Sequence, residues 1–449
     1  MSRDRDGPPV AGHELVSFDG TEGCRGALVE PARYGDLRAV LAGPGRFAAR
    51  GAGLTYCQAS AGDGVTSIST RWFNRFLAFD GDQLRVTAEP GVTVGELVRF
   101  AVGRGAWFPV LPGHPAITVG GCVAFNVHGK SQHDVGCFSD HVVSLTLLHP
   151  DHGELVCTPS DNAGVFELTL GGLGLTGYIA TITLQLQPLP GPGIRRRGHR
   201  VASLTEAVAL MRSLAHDGTG GGTLYSWNDL NQRGPRFGRG IVHAESFEPA
   251  APSSRSRYRR LVPGHRRGPQ IARARGTARV LAAGYTARER LSGGRVRSVE
   301  DAAFPINGNE AYYRLFGRRG FREYQMLIPN DAWAAAAGEI QRAVAAAGGP
   351  VTLGSLKLFR GDAKLLWFRD DGICLALDVA AGDAADRLFA RLDRVALDHG
   401  AVVNLSKDSR LAATTVRALF PGYDEFRRRL AAHDPERRFD SMLRRRIDV

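Results

Sequence analysis

The sequence predicts an α+β chain of two domains, and three observations predict it. At 449 residues the chain is too long for one ordinary hydrophobic core. As far as Pro188, short strand and helix patterns alternate around three glycine loops, at 50–56, 118–121 and 171–177. A Pro/Gly break, Pro188-Leu189-Pro190-Gly191-Pro192-Gly193, then opens a second unit of strand–helix–strand groups. These groups suggest an antiparallel sheet with helices on one side. The expected divisions are 1–190, 191–400 and a terminal segment 401–449.

In the first unit a helix is expected over 36–41, then a strand over 46–49 entering the first glycine loop. Strands follow at 65–69, 76–80 and 83–88, the last two as a hairpin about Asp80-Gly81-Asp82. Thr93 with Glu96 three residues on makes a capping box for a helix through Ala101. A strand over 106–110, a hairpin of 142–149 with 154–158, and a strand over 180–187 complete the unit. In the second unit strands are expected at 195–201, 223–228, 321–328, 355–359 and 373–379. Helices are expected at 205–215, 332–347 and 384–399. A last strand delivers Val402-Val403-Asn404-Leu405-Ser406-Lys407-Asp408-Ser409-Arg410, followed by a helix at 412–418 and a helical basic tail over 423–447.

Composition narrows the function classes. The apolar fraction of 43% is that of an ordinary water-exposed protein. No run of about 18 apolar residues is present, so no spanning helix is expected. Residues 1–14 lack a signal-peptide hydrophobic region, and the cytoplasm is the default expectation. The six cysteines form no CxxC pair and no zinc pattern, so small buried thiols and no metal site are expected. The net charge is +12, with much of the excess between Arg255 and Arg297. The stretch 249–293 is polar, basic and poor in aromatics. It reads as a mobile loop that recruits an anionic substrate or a membrane surface, or as a solvated loop with no role.

The chemistry concentrates in 109–141, PVLPGHPAITVGGCVAFNVHGKSQHDVGCFSDH. Gly120 and Gly121 carry no side chain to hold a ligand off the backbone, and bare N–H groups suit an anionic ligand such as a pyrophosphate. Behind them His128-Gly129-Lys130 sets an imidazole and an ammonium two residues apart, a pair suited to redox chemistry on a bound substrate. The first loop, Arg50-Gly51-Ala52-Gly53-Leu54-Thr55-Tyr56, is a second place for phosphate. It lacks the third glycine of a Rossmann fingerprint. The third loop, ending Gly177-Tyr178-Ile179, runs straight into a strand.

Together these motifs resemble the flavoproteins of the vanillyl-alcohol-oxidase superfamily, which carry a PCMH-type FAD-binding domain. Within it the resemblance is greatest to the decaprenylphosphoryl-β-D-ribose 2′-oxidase group of actinobacteria. It runs from about Ala48 to the C-terminus and is densest at RGAGLTY, PVLPG, TVGGCVAFNVHGKSQH, GLGLTG, REYQ, LKLF, SKDSR and DPERRF. The resemblance implies an FAD domain on both sides of an inserted substrate domain. It places FAD against Arg50, Gly51, Ala52, Gly53, Leu54, Thr55 and Tyr56. Pro112, Gly113, Thr118, Gly120, Gly121, Val127, His128, Gly129, Gly177, Ile179 and Lys407 complete the cofactor set. It places Lys407, His128 and Lys130 in catalysis, and Lys130, Gln325, Lys357, Cys374, Ala376 and Asn404 at the substrate. His128 is read as a base or as the holder of a neighbour. Lys407 is assigned to the substrate hydroxyl and flavin.

Two departures from the pattern matter. The histidine that tethers FAD in many members is Leu54 here, and the cysteine tether of other branches is Ala116, so non-covalent FAD is expected. The substrate-site cysteine of the decaprenyl group falls at Ala376, with Cys374 two residues away.

The implied reaction oxidises a secondary ring alcohol of a sugar to a ketone, with hydride passing to flavin N5. It is compatible with the oxidative half of a 2′-epimerisation of a polyprenyl-phospho-ribose or related glycoside. The implied partners are a lipid- or phosphate-linked glycosyl substrate, a short-chain reductase for the second half, and peripheral membrane contact. An aldonolactone or alditol oxidase is the alternative enzyme. A basic nucleic-acid- or membrane-binding protein is the alternative of another class, and no nucleic-acid-binding signature supports it.

Overall fold

The computed structural model describes residues 12–218, 222–255, 257–258, 268–292, 294–305, 307 and 311–449. The first sheet has the strand order His13–Val16, Gly23–Val29, Val65–Ser69, Arg46–Arg50, the last two pairings being parallel. The strand Arg46–Arg50 runs into the first glycine loop, which therefore leaves the sheet at a fixed point. A second, antiparallel sheet has the order Phe76–Asp80, Arg85–Ala88, Tyr178–Gln185, Val142–His149, Gly153–Cys157. The capping box forms as expected: Glu96 N–H donates to Thr93 Oγ1, and Thr93 N–H to Glu96 Oε2, starting the helix Val94–Val102.

Two further four-stranded antiparallel sheets follow. One has the order Thr223–Asp229, Arg239–Glu248, Gly193–Val201, Val296–Ser298. The other has the order Val351–Phe359, Gly372–Ala380, Phe321–Pro329, Val402–Val403. Their edge strands are tied together: Asn231 Nδ2 donates to Val351 O at 2.7 Å, and Leu356 N–H to Ser226 Oγ at 3.1 Å. The helices Leu204–His216, Trp333–Ala347 and Asp383–Asp398 start and end within two residues of expectation. The strand Arg239–Glu248 was not expected, because buried His243 and Glu245 interrupt its apolar pattern.

Several expectations need correction. The strand expected over 106–110 is limited to Ala106–Trp107, since Pro109 has no N–H for a ladder. The basic stretch read as a mobile loop contains an 18-residue helix, Arg275–Ser292. Tyr285 stacks on Trp227 with ring centroids 4.7 Å apart, and its hydroxyl is 2.8 Å from His243 Nε2. One turn further on, Glu289 pairs with Arg196 at 2.8 Å. Its inner face is thus an aromatic and a carboxylate four residues apart, a pattern an apolar-stripe rule does not detect. Residues 256, 259–267 and 293 of that stretch lie outside the described residues.

The tail is two helices, Tyr423–His433 and Met442–Ile447, broken at Pro435. Between them the chain bonds to the first sheet: Phe47 N–H donates to Arg438 O at 2.7 Å and Asp440 N–H to Phe47 O at 2.9 Å. Arg444 is buried, paired with Asp434 at 3.0 Å and bonded through Nε to Val449 O. All six cysteines are free and buried. No helix among the described residues is long and apolar enough to cross a membrane.

Candidate active site

Period-two geometry builds one wall of the site. In register, Lys357 lies opposite Cys374, Ala376 between Ser355 and Gln325, and Asp378 opposite Glu323. One face of the sheet therefore carries Lys357, Cys374, Ala376, Asp378, Gln325 and Glu323. Asn404, just beyond Val402–Val403, joins the same sheet by donating its N–H to Gln325 O at 2.9 Å.

Three separate segments meet this face. Gln325 Nε2 donates to His128 Nε2 at 3.1 Å and reaches Cys374 Sγ at 3.2 Å. Lys357 Nζ lies 3.5 Å from the same His128 nitrogen. The ring of His128 is set by edge contact with Phe359, centroids 4.8 Å apart, and by Phe368 at 5.5 Å. Tyr56 N–H donates to Ser406 O at 2.9 Å, and Lys407 Nζ sits 3.6 Å from the Tyr56 ring centroid. The end of the first glycine loop, the HGK triplet and the SKDSR turn are thus brought together. Lys407 pairs with Glu323 at 3.4 Å rather than with its sequence neighbour Asp408, which is bound by Arg410 and Arg446.

Electrostatics follow from burial. Burial, together with the Lys357 and Lys407 ammoniums, holds His128 well below the usual imidazole range, so it is neutral. Asp378 is pushed well above the carboxylate range, first by burial and then by Glu323; Tyr312 donates to its Oδ2 at 2.9 Å. Asp378 therefore holds a proton more tightly than an ordinary carboxyl does. Lys130 does not join this network. Its Nζ lies 4.5 Å from the Tyr225 ring centroid, beside the Arg196–Glu245–Glu289 cluster, and burial lowers it to about 8. Its backbone ties the HGK loop to the second unit, Leu224 N–H donating to Lys130 O at 3.2 Å.

The glycine loops differ from one another. In the first, the N–H groups of Ala52, Gly53 and Leu54 donate to no other described residue. A Cβ at Gly51 would collide with Thr118 Oγ1, and Gly53 has φ +67°. Arg50 folds beneath this loop, bonding to Ser60 at 2.8 Å. At Gly120 and Gly121 the expected bare N–H groups are taken, by Pro90 O and by Thr118 Oγ1. These glycines serve close packing instead; a Cβ on Gly120 would stand 2.7 Å from Pro90 Cβ. Gly129 packs against the Leu111 backbone, beside Pro112 and Gly113, and Val127 N–H donates to Cys122 O. Gly177, at φ +141°, opens the strand that holds Ile179. Leu54 packs against the Phe18–Tyr56 aromatic cluster and Ala116 is buried, so neither offers a nucleophile.

Known proteins match this sequence. The FAD binding domain family matches residues 26–159. The decaprenylphosphoryl-beta-D-ribose oxidase of Mycolicibacterium smegmatis is 29% identical over 433 residues, covering 92% of this chain and 91% of the relative. The Streptomyces coelicolor protein named "uncharacterized protein in mprA 5'region" is 30% identical over 380 residues, covering 80% of this chain and all of the relative. The chain belongs to the PCMH-type FAD-binding oxidoreductases. Mouse L-gulonolactone oxidase is 31% identical over 188 residues, covering 40% of this flavoprotein and 42% of the relative. FAD is the cofactor, and the unpaired donors of the first loop fit a pyrophosphate.

Sequence reasoning missed Glu323 and Asp378. Each lies two residues from a named site position, Gln325 and Ala376, and so shares its strand face. Tyr225 carried no sequence signal, since nothing local connects it to Lys130.

Proposed function

We propose that this flavoprotein oxidises a secondary ring alcohol of a sugar to a ketone, with 191–400 as the inserted substrate domain and 401–449 returning to the FAD domain. The observation that carries the reading is the convergence of Lys407, Gln325, His128 and Lys357 on one sheet face beside the end of the first glycine loop. FAD supplies the electron acceptor for the hydride. Its pyrophosphate is held by the loop Arg50–Tyr56, with Thr118, Gly120, Gly121, Val127, Gly129, Gly177 and Ile179 shaping the surrounding wall by close packing. With Leu54 and Ala116 at the tether positions, the cofactor is held without a covalent bond.

Lys407 takes the substrate hydroxyl proton as it hands one to Glu323 Oε2, 3.4 Å away. His128 Nε2 already accepts from Gln325 and Lys357, so His128 holds those two side chains in place rather than acting as the base. Lys357, Gln325 and Asn404 orient sugar hydroxyls over the small surface of Cys374 and Ala376. Lys130, charged below about pH 8, faces the anionic part of a phosphate-linked glycoside.

The M. smegmatis relative is named for a ribose-linked lipid substrate, which supports this substrate class over the aldonolactones. A reductase that completes a 2′-epimerisation and a cytoplasmic site of action belong to the same reading. Lys407→Ala tests it: FAD stays bound, and anaerobic flavin reduction by substrate slows by about 10²–10⁴-fold. A variant reduced at the parent rate removes Lys407 from the chemistry.

A further inference from the structure

Away from the sheet face, three histidines from two distant parts of the chain meet. His149 ends the strand Val142–His149, His152 lies in the following turn, and His433 closes the helix Tyr423–His433. One ring nitrogen from each lies within 4.8 Å of the other two. Ring centroids are 4.6 Å apart for His149–His152, 4.9 Å for His152–His433 and 5.3 Å for His149–His433.

Hydrogen bonds fix which nitrogens are free. His152 Nε2 donates to His433 O at 2.7 Å, and His433 Nε2 to Thr176 O at 2.9 Å. In both rings Nε2 therefore carries a hydrogen, and Nδ1 is the nitrogen left to bind a metal. The His149 side chain is fully buried, and its Nε2 has no hydrogen-bond partner. Asp434 Oδ1 lies 3.8 Å from it. A buried ring nitrogen without a hydrogen-bond partner is an uncompensated cost in the free protein.

We propose that His149, His152 and His433 form a Zn²⁺ site that clamps the C-terminal segment to the 149–153 turn. Three imidazoles are a zinc ligand set, with solvent at the fourth position. Zn–N bonds of about 2.1 Å in a tetrahedron set the nitrogens about 3.4 Å apart, so the cluster must contract. His152, on an exposed turn, is free to make that move. Binding through His149 Nε2 places its proton on Nδ1. There it exchanges the Asp151 N–H, now 3.2 Å away, for the Asp151 carboxylate 4.0 Å away. Asp151 then orients the ligand as a carboxylate behind a metal-bound histidine, and is itself held by Arg438 at 3.2 Å. None of these residues belongs to the Lys407–Gln325–His128 network, so the clamp acts on the fold and not on the redox chemistry.

The test uses the untagged, full-length, FAD-loaded protein after chelator treatment. Titration with ZnCl₂ in a calorimeter gives one saturable site per chain and raises the melting temperature. His152→Ala weakens that affinity by at least about tenfold, while its metal-free melting temperature stays at the parent value. His13→Ala changes nothing. Co²⁺ in place of Zn²⁺ gives the visible absorption of a tetrahedral nitrogen site, which His433→Gln abolishes. Absence of saturable Zn²⁺ binding overturns the proposal, as does equal affinity in the parent and His152→Ala.

Discussion

Asn404 Nδ2 donates to Gln325 Oε1 at 2.8 Å, and the direction of that bond decides the state of the site. The Ser406 backbone N–H, which can only donate, meets Asn404 Oδ1 at 3.0 Å. The Asn404 amide is therefore the donor toward Gln325, Gln325 is the donor toward His128, and His128 Nε2 carries a lone pair. One backbone N–H sets the polarity of the whole chain of bonds.

Asn404→Asp breaks this order. A carboxylate has no proton for Gln325 Oε1, so Gln325 turns over and His128 Nε2 is left with the more distant Lys357 as its donor. The site is buried, and the cost is about 1–3 kcal/mol of stability. Chemical denaturation of the FAD-free variant and parent measures it; equal midpoints contradict the chain of bonds.

Lys130 gives the substrate step a pH dependence. Its lowered value of about 8 means that the ammonium is lost as pH rises through 8. For a phosphate-linked substrate KM is flat below that point and climbs above it. Lys130→Gln has a raised KM with no such step. Identical profiles in parent and variant place the anionic group elsewhere.

Asp378 makes a prediction about stability. Its folded-state pKa lies above the unfolded value, so the folded chain holds a proton that the unfolded chain releases. Its contribution to stability is therefore complete below the ordinary carboxylate range and declines as pH rises beyond it. Asp378→Asn keeps the oxygen that accepts from Tyr312 and removes that loss. The variant melts above the parent at pH 8, and the gap closes on acidification to about pH 4. A gap that widens in acid shows Asp378 to be ionised.

Much of this was legible in the chain itself. The capping box at Thr93, the hairpins and the meeting of HGK with SKDSR follow from local patterns and from the family resemblance. The helix Arg275–Ser292 did not, because Tyr285 and Glu289 dock it through a ring stack and an ion pair to strands some 60 to 90 residues earlier. The glycines at 120 and 121 misled for a related reason. Sequence shows that a side chain is missing, but not whether the space admits a ligand or the Pro90 backbone.

The docking of that helix is open to test. Tyr285→Ala removes both the Trp227 stack and the His243 contact, at about 1–3 kcal/mol. Hydrogen exchange over 275–292 is protected in the parent and rapid in the variant. Rapid exchange in the parent returns this segment to a mobile loop.

Anaerobic mixing of the FAD-loaded protein with a polyprenyl-phospho-pentose tests the central claim most directly. The account predicts that the oxidised flavin band near 450 nm bleaches, with one ketone formed per flavin reduced. Nucleosides and aminoglycosides in the same assay define the sugar. An FAD-loaded protein that dithionite bleaches, but that no secondary ring alcohol reduces, contradicts it.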